Sequence, residues 1–406
     1  MTGKKLKIFN RTAALILTAA LLSVYGCNNK GKTIDPDFYP TEIIEEEEEV
    51  TEAENTVSSI SEVAPEKLTD EDVLKPELNS LKENGKYEYN PKIIPDWILK
   101  QFENNPKIIR VAKQALVAID NCETEFVIDD DLELTDDEAQ YVYGVLYYSN
   151  PLSTVVSTYP SEEDPHVYKL SYFQQYALGE EDENGIPTSY QYMGESTPEE
   201  ARVTIEAFKD YVTETINENL TSDMSDAEMA SIIYKKLLTD IELEVESIDN
   251  YMNFNAQNYV SGEQITGVLD KKFTSGPEFV RLYSFFLTQL QIENREAVGT
   301  SGYFTSDLKT QLGEDAPISY YWAWQVLYLD GDYYNCDINL EAIVFKKTYM
   351  DIEGAEPDML YFGMSDDKRN ESYKVGKSSI YYADTIVYNN GTVENVPNCP
   401  KDLDIH

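Results

Sequence analysis

Between two strand-like runs rich in aromatics, Ser319 to Leu329 and Tyr333 to Ile338, stands Asp330-Gly331-Asp332. An Asp-Gly pair accepts the positive φ values of a tight hairpin turn, so the two runs are expected to fold back on each other as neighbouring antiparallel strands. That pairing constrains the rest of the chain. Helical patterns lead into these strands, and no regular strand-helix-strand alternation exists to build a parallel sheet. The expected fold class is therefore α+β.

Upstream, Ile108, Val111, Ala112, Ala115, Leu116 and Ile119 recur at helical spacing. Thr135 with Glu138 forms a capping box before Ala139 to Tyr148, and Asn150-Pro151 closes that second helix. The runs Leu152 to Tyr159 and His166 to Leu178 read as another hairpin, with a loop over Glu180 to Gly194. Thr197 caps a long helix with Pro198 in its first turn and Ala201, Ile205, Phe208, Val212 and Ile216 along one face. Ser225 with Glu228 opens the next, through Ile232, Ile233, Leu237 and Leu238. From Pro277, Phe279, Tyr283, Phe286, Leu287 and Leu290 mark another helical face, and a strand is expected near Arg295 to Thr300.

The N-terminus reads as an export signal. Lys4, Lys5, Lys7 and Arg11 precede the apolar stretch Ala13 to Leu22, and Val24-Tyr25-Gly26-Cys27 follows. That stretch is too short to span a bilayer, and a small residue directly before Cys suits cleavage there once the thiol carries a lipid. Cys27 is the expected lipidation site, which places the mature chain outside the cytoplasm, anchored to a bacterial membrane by acyl chains. Loss of residues 1 to 26 removes four basic and no acidic side chains, leaving 28 basic against 75 acidic and a net charge of -47. Such a charge repels a phosphate backbone, so nucleic acid is excluded as a partner. From Asp35 to Asn90 there are 18 acidic and 4 basic residues in 56, the composition of a self-repelling tether. The expected organisation is a signal over 1–26, an acidic disordered tether over 27–94, a helical and hairpin region over 95–222 and a core over 223–406.

Only two histidines, His166 and His406, and four cysteines occur. A His-rich metal site or a dense disulfide framework cannot be built from these, and no metal or cofactor is expected. Acidic clusters such as Asp129 to Asp131 and Asp136-Asp137 lack the spacing and central Gly of a calcium loop. Of Cys122, Cys336 and Cys399, any two could bridge in an exported protein, and the sequence does not choose among them.

From roughly Pro106 to Tyr388 the chain resembles the transglutaminase-like (papain-like) superfamily, in particular exported bacterial members with a helical and hairpin region ahead of the core. Ile265-Thr266-Gly267-Val268-Leu269 leads into the helix start, and Trp322-Ala323-Trp324-Gln325 occupies the His-Ala-Trp-Asn segment of that family. Asp330-Gly331-Asp332-Tyr333-Tyr334 is the turn, Asp337 falls where the family Asp belongs, and Tyr361-Phe362-Gly363-Met364-Ser365-Asp366 looks like the closing strand end. The resemblance implies a core of one helix packed on an antiparallel sheet, with a Cys-His-Asp triad acting on amides.

Here that triad is degenerate. The same alignment puts Gly276 at the nucleophile position, with Ser275 the nearest hydroxyl, and Trp322 at the histidine position, so only Asp337 matches. The chemistry needs a thiolate to attack, an imidazole to carry the proton and a carboxylate to orient the ring, and glycine has no atom with which to attack. What remains is a groove whose wall would carry Tyr321, Trp322, Trp324 and Tyr334, with Tyr320, Tyr328 and Tyr333 nearby, aromatics able to stack on a sugar or grip a peptide. The expectation is a catalytically inactive binding or scaffold module for cell-wall peptide, glycan or another exported protein. The alternative is an envelope peptidase or transamidase with an unrecognised constellation.

Overall fold

The computed structural model describes residues 69–129, 132–152, 156–161, 163–173, 195–243, 268–269, 272–273, 276–300, 303–304, 321–349, 354–374, 377–380 and 396–404. The chain divides after Lys67 into two units. The signal, Cys27 and the acidic stretch through residue 68 lie outside the described residues.

Residues 69–94 correct the expectation of a tether reaching Pro95. Helices α1 (Asp70–Leu74) and α2 (Ser80–Asn84) form here, and Val73, Leu81, Tyr87, Ile93 and Ile94 are buried. Long-range bonds fix them: Asn79 Nδ2 donates to the Leu290 carbonyl at 2.8 Å, and the Tyr87 hydroxyl donates to Gln289 Oε1 at 2.6 Å. The acidic side chains stay outside while sparse apolar residues find distant partners, which a composition count averages away.

The helical part begins with α3 (Asp96–Gln101) and α4 (Pro106–Asp120), whose expected stripe from Ile108 to Ile119 is buried. Strand β1 (Glu125–Val127) precedes α5 (Asp136–Ser149), which opens on the capping box of Thr135 and Glu138. Strands β2 (Val156–Pro160) and β3 (Val167–Phe173) form the expected antiparallel hairpin. With β1 and β4 (Glu195–Ser196) both paired to β3, they make a four-stranded sheet. The loop expected over Glu180 to Gly194 lies outside the described residues. Helix α7 (Asp226–Asp240) starts on the capping box of Ser225 and Glu228 read from sequence, and α6 (Pro198–Asn219) starts on the expected cap Thr197, which the structure completes into a box with Glu200. In each box a hydroxyl accepts from one backbone N–H and a Glu from another, satisfying two donors that a helix start leaves free.

Short strands β5 (Glu242–Leu243) and β6 (Lys272–Phe273) pair in parallel ahead of α8 (Gly276–Gln289). Phe279, Val280, Leu282, Tyr283, Phe285, Phe286 and Leu287 of α8 are all buried. Arg281, Ser284, Thr288 and Gln289 on its polar side are buried as well, so neighbouring elements enclose this helix. Next come β7 (Asn294–Thr300), β8 (Tyr303–Phe304), β9 (Tyr321–Leu329), β10 (Asp332–Cys336), α9 (Ile338–Tyr349), α10 (Asp366–Ser372), β11 (Tyr373–Lys374) and β12 (Lys377–Ile380). The main sheet has the order β10-β9-β7-β12, antiparallel throughout, and β8 pairs with β11. Asp330 (φ 51°) and Gly331 (φ 99°) form the two-residue turn, closed by the Leu329–Asp332 pair.

The class is mixed α+β, as the hairpin and helix patterns require. The expected boundary at residue 222 is replaced by one hydrophobic core running from Val73 to Cys399. Phe208 and Tyr211 of α6 meet Phe285 and Phe286 of α8, with ring centroids 5.6 Å and 6.1 Å apart. Contact across residue 222 joins the two regions in a shared core.

Candidate functional site

The three aligned positions fall on three elements. Gly276 is the first residue of α8, a helix buried from Phe279 onward. Trp322 lies on β9, where its backbone pairs with Gly299 of β7. The side chains of Tyr321 and Trp322 lie outside the described residues, as does Ser275.

Asp337 departs from its expected place on a strand. β10 ends at Cys336, and the Asp337 N–H turns to the Tyr361 carbonyl at 2.8 Å. Its Oδ1 accepts from the Leu340 N–H at 2.9 Å and its carbonyl from the Glu341 N–H at 3.0 Å, so Asp337 is the N-cap of α9. The Tyr234 hydroxyl also donates to that carbonyl at 3.1 Å. The strand reading of Tyr333 to Ile338 missed the following helix, although Ile338, Leu340, Ala342, Ile343 and Val344 are its buried apolar positions.

The groove wall needs a second correction. Trp324 and Tyr334 are core residues. Trp324 Nε1 donates to Asn335 Oδ1 at 2.8 Å, and the Arg369 guanidinium lies over the indole, 4.9 Å from its centroid. Arg369 also donates to Asn335 Oδ1 at 3.3 Å, while Asn335 Nδ2 donates to Asp366 Oδ1 at 3.0 Å. Strand alternation puts Trp324 and Gln325 on opposite faces, and both faces are covered: one by α8, the other by the segment entering α10. Among the aromatics of this hairpin, Tyr328 is 39% exposed and Tyr333 half-buried, their centroids 4.9 Å apart. The Tyr333 hydroxyl donates to Glu293 Oε1 at 2.9 Å.

Nucleophile chemistry has little to work with among the described residues. Cys122, Cys336 and Cys399 are free and buried. Cys336 Sγ accepts from the Gly363 N–H at 3.2 Å, and burial pushes its thiol well up. Burial raises Cys399 to about 12. His166 sits in the β2–β3 turn, its backbone N–H and Nδ1 both on Asp164 Oδ1, and so belongs to the other sheet. No group of three His, Cys, Asp or Glu among the described residues is placed to hold a metal ion.

Two buried acids escaped the sequence reading. Glu341, on the first turn of α9, accepts from the Tyr361 N–H at 2.7 Å, yet burial lifts its carboxyl to about 7. Glu296 on β7 is buried and also raised to about 7, by loss of water, with Arg281 on α8 pulling the other way. Glu296 pairs in register with Gln325, whose Nε2 donates to the Val280 carbonyl of α8 at 2.6 Å. Nothing local marks Glu296 as buried, because Arg295 and Glu296 are both charged and point to opposite faces.

No family model matches the chain, and no curated protein sequence is significantly similar to it.

Proposed function

We propose that this is an extracytoplasmic lipoprotein, anchored through Cys27, whose transglutaminase-like domain is catalytically inactive and acts as a binding or scaffold module. The observation that carries this reading is the start of α8 at Gly276, since the resemblance gives that position to the nucleophile and glycine offers no attacking atom. Asp337 has a structural task of its own, since its Oδ1 caps α9. For the partner, the reading favours cell-wall peptide, glycan or another exported protein. With Trp324 and Tyr334 buried, the aromatic surface on the described part of the hairpin is Tyr328 with Tyr333.

The test is an assay of the purified chain on peptide and glutamine substrates, alongside co-sedimentation with isolated cell-wall fragments. No amide turnover is expected, with sedimentation weakened by Tyr328→Ala. Turnover abolished by Ser275→Ala or Asp337→Ala, and spared by a distant surface substitution, would put a peptidase or transamidase in its place. Acyl labelling that survives Cys27→Ala would remove the anchor from the reading.

A further inference from the structure

The seam between α8 and the main sheet holds polar groups that the proposed function leaves unused. Glu296 and Gln325 face each other in register on β7 and β9, so their side chains lie side by side on the face toward α8. Gln325 Nε2 is committed to the Val280 carbonyl, which turns Oε1 into the seam, and Oε1 has no hydrogen-bond partner among the described residues. Ser284 stands one helical turn beyond Val280, and its buried hydroxyl likewise has no such partner there. A fully buried acceptor left unmatched forfeits the hydrogen bond that water would give it, so a donor at this spot is strongly favoured. An ionised Glu296 has none to give.

We propose that Glu296 is a protonation switch at this seam: as a neutral acid it donates its O–H to Gln325 Oε1, and as a carboxylate it turns to the Arg281 guanidinium and draws it off the Tyr147 ring. On ionisation the carboxyl O–H bond breaks and the proton passes to water. Arg281 now lies 3.9 Å from the centroid of Tyr147, a residue of α5, so its movement loosens a contact between α5 and α8. Among the described residues, Arg281 is the charged group that bears on the carboxyl. Arg281 comes from α8 and the uncharged Gln325 from β9. Cys336, the partner of Gln325 on β10, stays a neutral thiol because burial raises it. From β12, Ile380 lies opposite Ala297. Burial lifts the carboxyl toward neutrality, so the switch acts in a pH range that an extracytoplasmic chain meets.

The test uses the full chain with 13C-labelled glutamate side chains, together with hydrogen exchange across residues 136–149 at pH 6 and 8.5, corrected for intrinsic rates. The Glu296 carboxyl signal, assigned by its loss in Glu296→Gln, is expected to titrate within about one unit of pH 7. Exchange across α5 should quicken about tenfold at the higher pH in the wild type and by less than about twofold in Glu296→Gln. Gln325→Leu removes the acceptor of the neutral form and should lower the titration midpoint by about half a unit or more. A midpoint below about 5.5, or the same pH response in wild type and Glu296→Gln, overturns the switch. An unchanged midpoint in Gln325→Leu overturns its hydrogen bond. Because the titration is read in the wild type, the proposal stays open to refutation even if a variant fails to fold.

Discussion

Alanine at Gly363 separates two costs that usually come together. Gly363 has φ +70°, and a Cβ built there lies 2.6 Å from Leu403 Cβ and 3.1 Å from Leu403 Cδ2. Gly331, in the hairpin turn, has φ +99° with nothing within 4 Å of its added Cβ. Both positions charge an L-residue about 1–2 kcal/mol for the left-handed backbone. Only Gly363 adds overpacking, roughly 1–3 kcal/mol. Leu403 Cβ is one bond from its backbone and cannot swing aside. Relief requires the C-terminal segment to retreat, lengthening the 2.7 Å bond from the Leu403 N–H to the Gly363 carbonyl. Gly331→Ala should therefore lose about 1–2 kcal/mol and Gly363→Ala about 2–5 kcal/mol. Urea unfolding followed by far-ultraviolet circular dichroism reads both values, with an unchanged slope confirming that stability alone has moved. A Leu403→Gly background removes the clashing atom, so the cycle with Gly363→Ala should show a coupling of about 1–3 kcal/mol. Equal losses in the two single variants, or no coupling in the double, would refute the steric argument.

Glu341 makes stability depend on pH in a direction that follows from its shift. Its carboxyl is raised in the fold from 4.5 to about 7, so its stabilising contribution is complete below about pH 4.5 and is lost as the pH rises through 7. Glu341→Gln should flatten that window, gaining up to about 3 kcal/mol on the wild type between pH 4.5 and 8 in chemical unfolding. Parallel profiles would contradict it. Asp337→Ala should cost at least about 1–2 kcal/mol through loss of the α9 cap, seen as a lower melting temperature, whereas a purely catalytic aspartate would leave the melt unchanged. Trp324→Phe removes one donor from the buried Asn335 and should cost about 1–2 kcal/mol beyond the lost ring area, measured by the same unfolding assay.

Much of the local structure was legible because its causes are local. A capping box joins residues three apart, and Thr135 and Ser225 each bond the glutamate that the spacing names, while the expected cap Thr197 bonds Glu200 in the same way. The Asp330-Gly331 turn likewise needs only two backbones at positive φ, and the apolar spacing from Phe279 to Leu290 marks α8 as a helix. What a side chain meets across the fold is another matter. The aromatic period of β9 shows two faces but not that both are covered, so Trp324 and Tyr334 read as a groove wall until α8 and the 361–366 segment bury them. Asp337 fits a strand equally well on sequence, and the Tyr361 carbonyl, 24 residues away, captures its N–H and starts a helix instead. The acid-rich stretch after Thr69 folds because Asn79 and Tyr87 find Leu290 and Gln289, about two hundred residues on. Glu296 is buried for the same kind of reason, since its register with Gln325 sets it beneath α8. Bonds spanning a few residues are fixed by chain geometry, and sequence alone determines them. The burial of a charge depends on which distant surfaces meet, and that only tertiary packing decides.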